Sequence, residues 1–147
     1  VLVAVGIQGN TEGLGLEEVG VRVERGYIKV DGGLATNVPG VYAIGDVTGL
    51  MPLAHVASAQ GVMLVERLAG REVPPVDYAF MPRATYCHPQ VASFGLTEEQ
   101  AKQQGHQVKV GKFPLAANGK ALAMGESEGM SRWWPTLATG RSWGPTS

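Results

Sequence analysis

The stretch Thr-Asn-Val-Pro-Gly-Val-Tyr-Ala-Ile-Gly-Asp, residues 36–46, decides the predicted fold. It opens with turn-forming residues, and the apolar run 41–44 that follows is too short for a helix. Such a run is typical of a buried parallel strand, which would end here at Gly45 and Asp46. Because ligands bind at the carboxyl ends of strands in open α/β sheets, we expect a binding site at Asp46.

Gly45 and Asp46 have the properties that a ligand site of this kind needs. Glycine has no Cβ, so the backbone at Gly45 can approach a ligand closely. The Asp46 carboxylate can accept charge-assisted hydrogen bonds from sugar-type hydroxyls, each contributing about 1.5–3 kcal/mol. Taken alone, a Gly-Asp dipeptide is more often a plain turn after a strand, so the functional interpretation depends on the longer stretch.

The composition is that of an ordinary globular protein. The chain has 147 residues, 44% of them hydrophobic and 17% charged, which predicts one domain with a sizeable core. A net charge of −1 gives no electrostatic argument for nucleic acid or for an anionic membrane. The single cysteine excludes an internal disulfide and favours the cytoplasm, and no apolar run is long enough to cross a bilayer.

Apolar patterns predict the elements of the first half. Residues 1–5 read as a buried strand that ends at Gly6, and residues 21–30 read as a hairpin. A helix is expected from Pro52 to Ala69, because proline suits a first helical turn and the apolar residues recur on one face. The helix start would offer backbone N–H groups and the positive end of the helix dipole.

The second half begins after a proline-rich linker at residues 71–77. Strands are predicted at 81–86, 91–96 and 107–115, and Thr97 is expected to open a short helix through a capping box. Cys87 is interpreted as a small buried residue and not as a nucleophile. His88 and His106 lack neighbouring ligand residues at metal-binding spacing, and no metal site is predicted.

Three motifs resemble one family. The pattern Thr-x-x-x-Gly-h-h-h-h-Gly-Asp at 36–46, with h apolar or aromatic, resembles the second flavin motif of the two-dinucleotide-binding flavoprotein disulfide reductases. Leu53-Ala54-His55 resembles the dihydrolipoyl dehydrogenase branch, and Tyr-x-His-Pro-x-Val-Ala-Ser-x-Gly-Leu-Thr at 86–97 resembles the start of the family's interface domain. The resemblance extends from Val1 to about Gly129.

The resemblance implies a fold and a domain plan. The implied fold is part of a doubly wound α/β FAD-binding domain followed by a truncated α+β interface domain. In the family, the interface domain forms a homodimer. Residues 1–9 would be the end of the NAD-binding domain, 10–73 the return segment of the FAD-binding domain, and 74–147 the start of the interface domain.

The resemblance also implies cofactor-binding residues for FAD and NAD. Asp46, preceded by Gly45, would hold a ribityl hydroxyl of FAD, and Gly6 would approach the nicotinamide nucleotide. The family's Arg and Pro in the turn after Gly6 are here Ile7 and Gly9, and a plain tight turn explains Gly6 equally well. The flavin edge would lie against the backbone of the helix start, which consists of Pro52, Leu53, Ala54 and His55.

The chain carries none of the catalytic residues that the resemblance implies. Dihydrolipoyl dehydrogenases need a redox pair of cysteines and a His-Glu pair, whereas this chain has one cysteine and no matching His-Glu segment. It is therefore expected to be an inactive carboxyl-side fragment of such an enzyme, a partner in the family of a lipoyl-bearing acyltransferase complex. The alternatives are a non-catalytic dimerisation module and a fragment of a glutathione or mercuric reductase.

The tail, residues 131–147, holds all three tryptophans of the chain and has no apolar period. We hypothesise that it is read one base out of frame. Moving the frame back by one base turns Trp134 into Val and Pro135 into Ala and leaves Gly144 as Gly, which fits a strand hairpin. This hypothesis predicts that Trp133 and Trp134 lack a proper core.

Overall fold

A computed structural model describes residues 1–135 and 142–143, with side chains up to residue 134. The chain divides into two compact units, Val1–Val76 and Asp77–Ser147. Helices and short antiparallel strands occur in both halves of the sequence. No helix among these residues is both long and apolar enough to cross a membrane.

The first unit contains the predicted hairpin, formed by β1 (Val23–Glu24) and β2 (Tyr27–Ile28). Its turn residues Arg25 and Gly26 have φ angles of 52° and 79°. Positive φ at both positions is the geometry that matches the right-handed twist of paired strands. One cluster of buried residues in this unit consists of Val21, Ile28 and Ala43, with half-buried aliphatic residues packed around them.

Residues 41–44 do not form the buried parallel strand that the sequence predicted. This segment is extended, but its one β-bridge is antiparallel, between Ala35 and Tyr42. Ala43 is buried, whereas Tyr42 and Ile44 are 38% and 39% exposed. The segment is held by loop contacts instead of a strand ladder: the amide nitrogen of Ala43 donates to the carbonyl oxygen of Leu34 at 3.1 Å.

Leu34 itself is fully buried and has a φ angle of 67°. The Asp31 side chain fixes this turn, because its Oδ1 accepts hydrogen bonds from the amides of Gly33 at 2.8 Å and Ala35 at 3.0 Å. A leucine rarely adopts this left-handed conformation, so the turn is maintained by its hydrogen bonds and by the burial of the side chain.

The predicted strand at residues 1–5 is also wrong. This segment has no regular secondary structure, and Val1, Leu2, Val3 and Val5 are each at least 74% exposed. A strand needs a neighbour that completes its backbone hydrogen bonds, and no described segment pairs with these residues.

The main helix, α1, is confirmed and runs over Ala54–Leu68. It begins slightly later than predicted, with Leu53 as N-cap. Its end is a Schellman motif, in which the amide of Gly70 donates to the carbonyl oxygen of Arg67 and the amide of Arg71 to that of Glu66. The φ angle of 80° at Gly70 is the left-handed conformation that this motif requires.

Among its described residues, the second unit contains two small antiparallel sheets and two short α-helices. Strands β3 (Arg83–Thr85) and β4 (Val91–Ser93) pair with each other. Helix α2 (Glu98–Gln103) begins with the predicted capping box, which joins Thr97 and Gln100. The second sheet consists of β5 (Gly111–Pro114), β6 (Met130–Pro135) and β7 (Ser142–Trp143), in that order. Helix α3 (Gly119–Met124) lies between β5 and β6 in the sequence.

Two expectations for the second unit are wrong. Cys87 is exposed and not buried, and its Sγ lies 3.0 Å from the carbonyl oxygen of Pro89. Trp134 is only 3% exposed, although the frame hypothesis predicted that it lacks a core. Its neighbour Trp133 is 40% exposed, so β6 turns one tryptophan inwards and the other outwards. The side chains from 135 onwards lie outside the described residues.

Candidate functional site

Gly45 is held by hydrogen bonds at both of its backbone polar groups. Its amide nitrogen donates to Oε1 of Gln60 at 2.6 Å, and its carbonyl oxygen accepts from Oγ1 of Thr48 at 2.8 Å. Gly45 has a φ angle of 77°, and a Cβ at this position would lie 3.3 Å from the Cβ of Ala57. The site therefore requires glycine both for its backbone conformation and for its close packing on α1.

Asp46 begins a short 3-10 helix, Asp46–Thr48, directly after Gly45. The residue is exposed, and its carboxylate has no hydrogen-bond partner among the residues that the structure describes. The backbone is fixed more firmly, since the carbonyl oxygen of Asp46 accepts from the amide of Gly49 at 3.0 Å. The result is a solvent-accessible carboxylate on a well-defined turn, which is suited to accept hydrogen bonds from ligand hydroxyls.

The start of α1 lies immediately downstream of this turn. Leu53 is the N-cap and supplies no side-chain hydrogen bond to the helix, while Ala54 and His55 are exposed, as is Pro52 just before them. An N-terminus without a side-chain cap presents backbone N–H groups and a partial positive charge to whatever approaches it. Such a helix start suits an electron-rich ligand edge, and the flavin contact expected at residues 52–55 stays a prediction.

Gly6 is exposed and has a φ angle of 76°, and a Cβ added to this residue would meet nothing within 4 Å. Its neighbour Ile7 is connected to the Asp46 turn through one side chain. The Tyr27 hydroxyl donates to the carbonyl oxygen of Ile7 at 2.7 Å, and the Tyr27 ring covers Gly49, where a Cβ would lie 2.8 Å from Cγ. The structure thus brings the Gly6 turn and the Asp46 turn to opposite ends of Tyr27.

Thr48, Gln60 and Tyr27 contribute to this site but were not predicted from the sequence as site residues. A signal for Gln60 was present, because it shares one face of α1 with Val56 and Met63, at spacings of four and three residues. A polar side chain on a buried helical face must find a hydrogen-bond partner. Thr48 and Tyr27 gave no comparable signal, since their contacts depend on how separate turns meet.

Two family models match the chain. The model described as pyridine nucleotide-disulphide oxidoreductase matches residues 1–61, and the model of the dimerisation domain of the same family matches residues 81–134. The chain belongs to this oxidoreductase family. The expected fold class, part of an FAD-binding domain followed by an α+β dimerisation domain, is therefore confirmed.

The similar curated proteins are dihydrolipoyl dehydrogenases. The chain is 56% identical over 128 residues to the protein from Rhizobium etli and 50% identical over 143 residues to that from Chlorobaculum tepidum. These matches cover 86% and 97% of the chain but only 27% and 30% of the two relatives. The oxidoreductase chain therefore corresponds to less than a third of a dihydrolipoyl dehydrogenase.

Solved structures of the family have the same fold. LpdA from Mycobacterium tuberculosis superposes with a TM-score of 0.82 at 32% identity, covering 94% of this chain and 30% of LpdA. The HOCl-induced flavoprotein disulfide reductase RclA from Escherichia coli gives a TM-score of 0.85 at 30% identity, covering 97% of this chain and 33% of RclA.

FAD and NAD are the cofactors of this oxidoreductase family. The chain's own residues fit a flavin, because Asp46 leaves an exposed carboxylate open to hydroxyls beside an α1 start that lacks a side-chain cap. No cluster of three or more potential metal-binding side chains occurs within the described residues.

Proposed function

We propose that this chain forms the flavin-edge and dimerisation portion of a cytoplasmic dihydrolipoyl dehydrogenase. That enzyme would oxidise dihydrolipoamide with NAD⁺, giving lipoamide, NADH and a proton. Its partners would be a second copy of itself and a lipoyl-bearing acyltransferase. The observation that carries the proposal is the exposed Asp46 carboxylate, held on the Gly45 turn in a chain 56% identical to a dihydrolipoyl dehydrogenase.

The chain would contribute binding and orientation to this reaction. When bound, FAD supplies the two-electron acceptor between dithiol and nicotinamide. Asp46 would hold a ribityl hydroxyl, and the backbone at residues 52–55 would lie against the electron-rich edge of the ring system. Gly6 would face the nicotinamide nucleotide. The dithiol–disulfide exchange must use other residues, because the chain has a single cysteine.

The domain plan belongs to the same proposal. Residues 1–9 would complete the NAD-binding domain, residues 10–73 would return to the FAD-binding domain, and residues 74–147 would begin the interface domain. A related disulfide reductase is the second candidate, since RclA is as similar in structure as LpdA. The identity of 50–56% to dihydrolipoyl dehydrogenases supports the first candidate.

The isolated chain tests the proposal first. It should bind FAD with a dissociation constant weaker than about 1 μM, because ribityl and ring-edge contacts alone leave most of the cofactor without partners. It should also show no lipoamide–NAD turnover above a blank without protein. Equilibrium dialysis that gave a constant near 1 μM or tighter would contradict the fragment assignment.

A hybrid enzyme tests the role of Asp46. In this hybrid, the chain replaces the matching segment of the Rhizobium etli dihydrolipoyl dehydrogenase. Asp46→Ala should weaken FAD binding by roughly ten- to hundredfold, since a charge-assisted hydrogen bond contributes about 1.5–3 kcal/mol.

Asp77→Ala is the matched control, because Asp77 is also a carboxylate at the start of a 3-10 helix, where it caps the amide of Ala79. Flavin content after purification and the FAD dissociation constant should change in Asp46→Ala and stay the same in Asp77→Ala. An unchanged affinity in Asp46→Ala would overturn the assigned flavin contact.

A further inference from the structure

Two polar side chains are buried among the residues that the structure describes, Thr48 at 7% exposure and Gln60 at 0%. Both bind the same residue, Gly45, which directly precedes Asp46. Gln60 accepts from its amide nitrogen, and Thr48 donates to its carbonyl oxygen. We call Thr48 and Gln60 the Gly45 clamp.

The clamp is not explained by core packing. A buried amide or hydroxyl has lost its hydrogen bonds to water and must find another partner. An aliphatic side chain at either position would avoid this free-energy cost of desolvation. Gln60 also lies between Val56 and Met63 on the buried face of α1, where an apolar residue would be the ordinary choice.

What the clamp does achieve is to fix the peptide groups on both sides of Gly45. Gly45 has the freest backbone of any residue type and sits at a φ angle of 77°. Its carbonyl oxygen also accepts from the backbone amide of Thr48 at 3.0 Å, so the two side-chain bonds add to this backbone bond. A rotation at Gly45 moves Asp46 directly, because the two residues share a peptide plane. Gln60 accepts from the amide nitrogen of Gly45 and thereby anchors the preceding peptide group to the middle of α1. The first turn of this helix faces the predicted flavin edge.

We infer that Thr48 and Gln60 are positioning residues for the flavin-binding carboxylate: they hold Gly45 so that Asp46 projects at a fixed place beside the start of α1. This inference rests on the proposed function, in which Asp46 binds FAD. A carboxylate held in place before the ligand arrives loses less conformational entropy on binding, which raises affinity.

The test uses the hybrid enzyme and measures the FAD dissociation constant by flavin fluorescence quenching. Gln60→Met keeps an unbranched side chain of similar volume but removes the amide oxygen. Thr48→Val removes the hydroxyl, whereas Thr48→Ser keeps it. Gln60→Met and Thr48→Val should each weaken FAD binding at least about fivefold, whereas Thr48→Ser should stay within about twofold of the parent.

Matched controls separate positioning from general stability. Thr36→Val removes another half-buried hydroxyl of the same unit, which lies near the carbonyl oxygens of Val41 at 2.9 Å and Val38 at 3.3 Å and accepts from the amide of Val38 at 3.1 Å. Ser58→Ala removes an exposed hydroxyl within α1, where Oγ donates to the carbonyl oxygen of Ala54. Neither control touches Gly45, so both should leave the FAD constant within about twofold.

The decisive readout is a double-mutant cycle with Asp46→Ala. If Gln60 acts through Asp46, Gln60→Met should change the FAD constant less than about twofold once the carboxylate is gone. Equal effects of Gln60→Met with and without Asp46 would overturn the inference, as would equal losses in Thr48→Val and Thr36→Val. If Gln60→Met does not fold, the comparison of Thr48→Val with Thr48→Ser decides alone.

The inference and the proposed function fail in different ways. Should Asp46→Ala leave FAD binding unchanged, the flavin role of Asp46 is wrong and the proposed function falls with it. Should Asp46→Ala weaken FAD binding while the clamp variants behave like their controls, only the positioning role is wrong.

Discussion

The indole Nε1 of Trp134 donates a hydrogen bond to the carbonyl oxygen of Leu96 at 3.0 Å. This bond joins strand β6 to the short segment that precedes helix α2, across 38 positions of sequence. The guanidinium of Arg132 lies 5.9 Å from the Trp134 ring centroid and also binds Glu98 at 3.0 Å. Trp134 and Arg132 therefore connect the second sheet to α2 through two neighbouring contacts.

Trp134→Phe should destabilise the chain by about 1–3 kcal/mol, since it removes the hydrogen bond and part of a buried ring. Trp133→Phe is the control, because Trp133 lies on the same strand and is 40% exposed. Trp133→Phe should lower the free energy of unfolding clearly less than Trp134→Phe. Urea unfolding of the two variants would measure both values; equal losses would mean that the Trp134 bond contributes nothing of its own.

The Glu98 carboxylate should give the second unit an acid-sensitive contribution to stability. A hydrogen bond from Lys102 lowers the pKa of Glu98, and the charges of Lys102, Arg132 and Lys112 act in the same direction. Because the pKa is lower in the folded chain than in the unfolded chain, the contribution is present above the ordinary glutamate pKa, near 4.3, and is lost as the pH falls through the lowered value.

Glu98→Gln should therefore lower the melting temperature at neutral pH, and the difference from the parent should shrink as the pH falls below about 4. Glu99→Gln is the control, since Glu99 lies on the same helix and accepts from the uncharged Gln103 amide at 3.3 Å. Thermal unfolding between neutral and acidic pH measures both. A difference that persists unchanged at the lowest pH would contradict the electrostatic explanation.

Gly49→Ala should destabilise the first unit by more than Gly70→Ala. Both glycines have left-handed φ angles, 68° and 80°, so each substitution strains the backbone by about 1 kcal/mol. At Gly49 the new Cβ would also lie 2.8 Å from Cγ of Tyr27, whereas nothing lies within 4 Å at Gly70. We expect roughly 1–3 kcal/mol of additional loss at Gly49 from overpacking, measured by urea unfolding. Equal losses would show that the ring moves aside freely.

The frame hypothesis for residues 131–147 stays a prediction that the gene sequence decides. Resequencing should reveal a one-base change upstream of the codon for Ser131, and the corrected frame should give Val and Ala in place of Trp134 and Pro135. An intact frame would mean that the tail is native. The burial of Trp134 already runs against the expectation attached to this hypothesis.

Elements with local signals were predictable from the sequence. The hairpin needs only its turn residues, the capping box at Thr97 only Gln100, and the end of α1 only Gly70. The strands predicted at 1–5 and 41–44 failed because an apolar run does not say which segment will complete its hydrogen bonds. Strand formation depends on distant neighbours.

In the candidate site, too, the features that are local in sequence were predictable and the contacts between separate elements were not. The order of Gly45, Asp46 and the helix start could be read directly along the chain. The partners of Gly45 could not, because Gln60 reaches it only after α1 has packed against residues 44–45, and Tyr27 reaches Ile7 only after the hairpin has formed. Side chains that support a site from another element leave little trace in sequence spacing.

The backbone and the side chain of residue 34 favour different residue types. Its backbone, at a φ angle of 67°, would be most comfortable with glycine, while its fully buried side chain fills space that glycine would leave empty. Valine or isoleucine would fill the space, but branching at Cβ makes the left-handed conformation harder to adopt. Over many generations of mutation, this position should therefore accept few replacements, and those would be large apolar residues without a branch at Cβ.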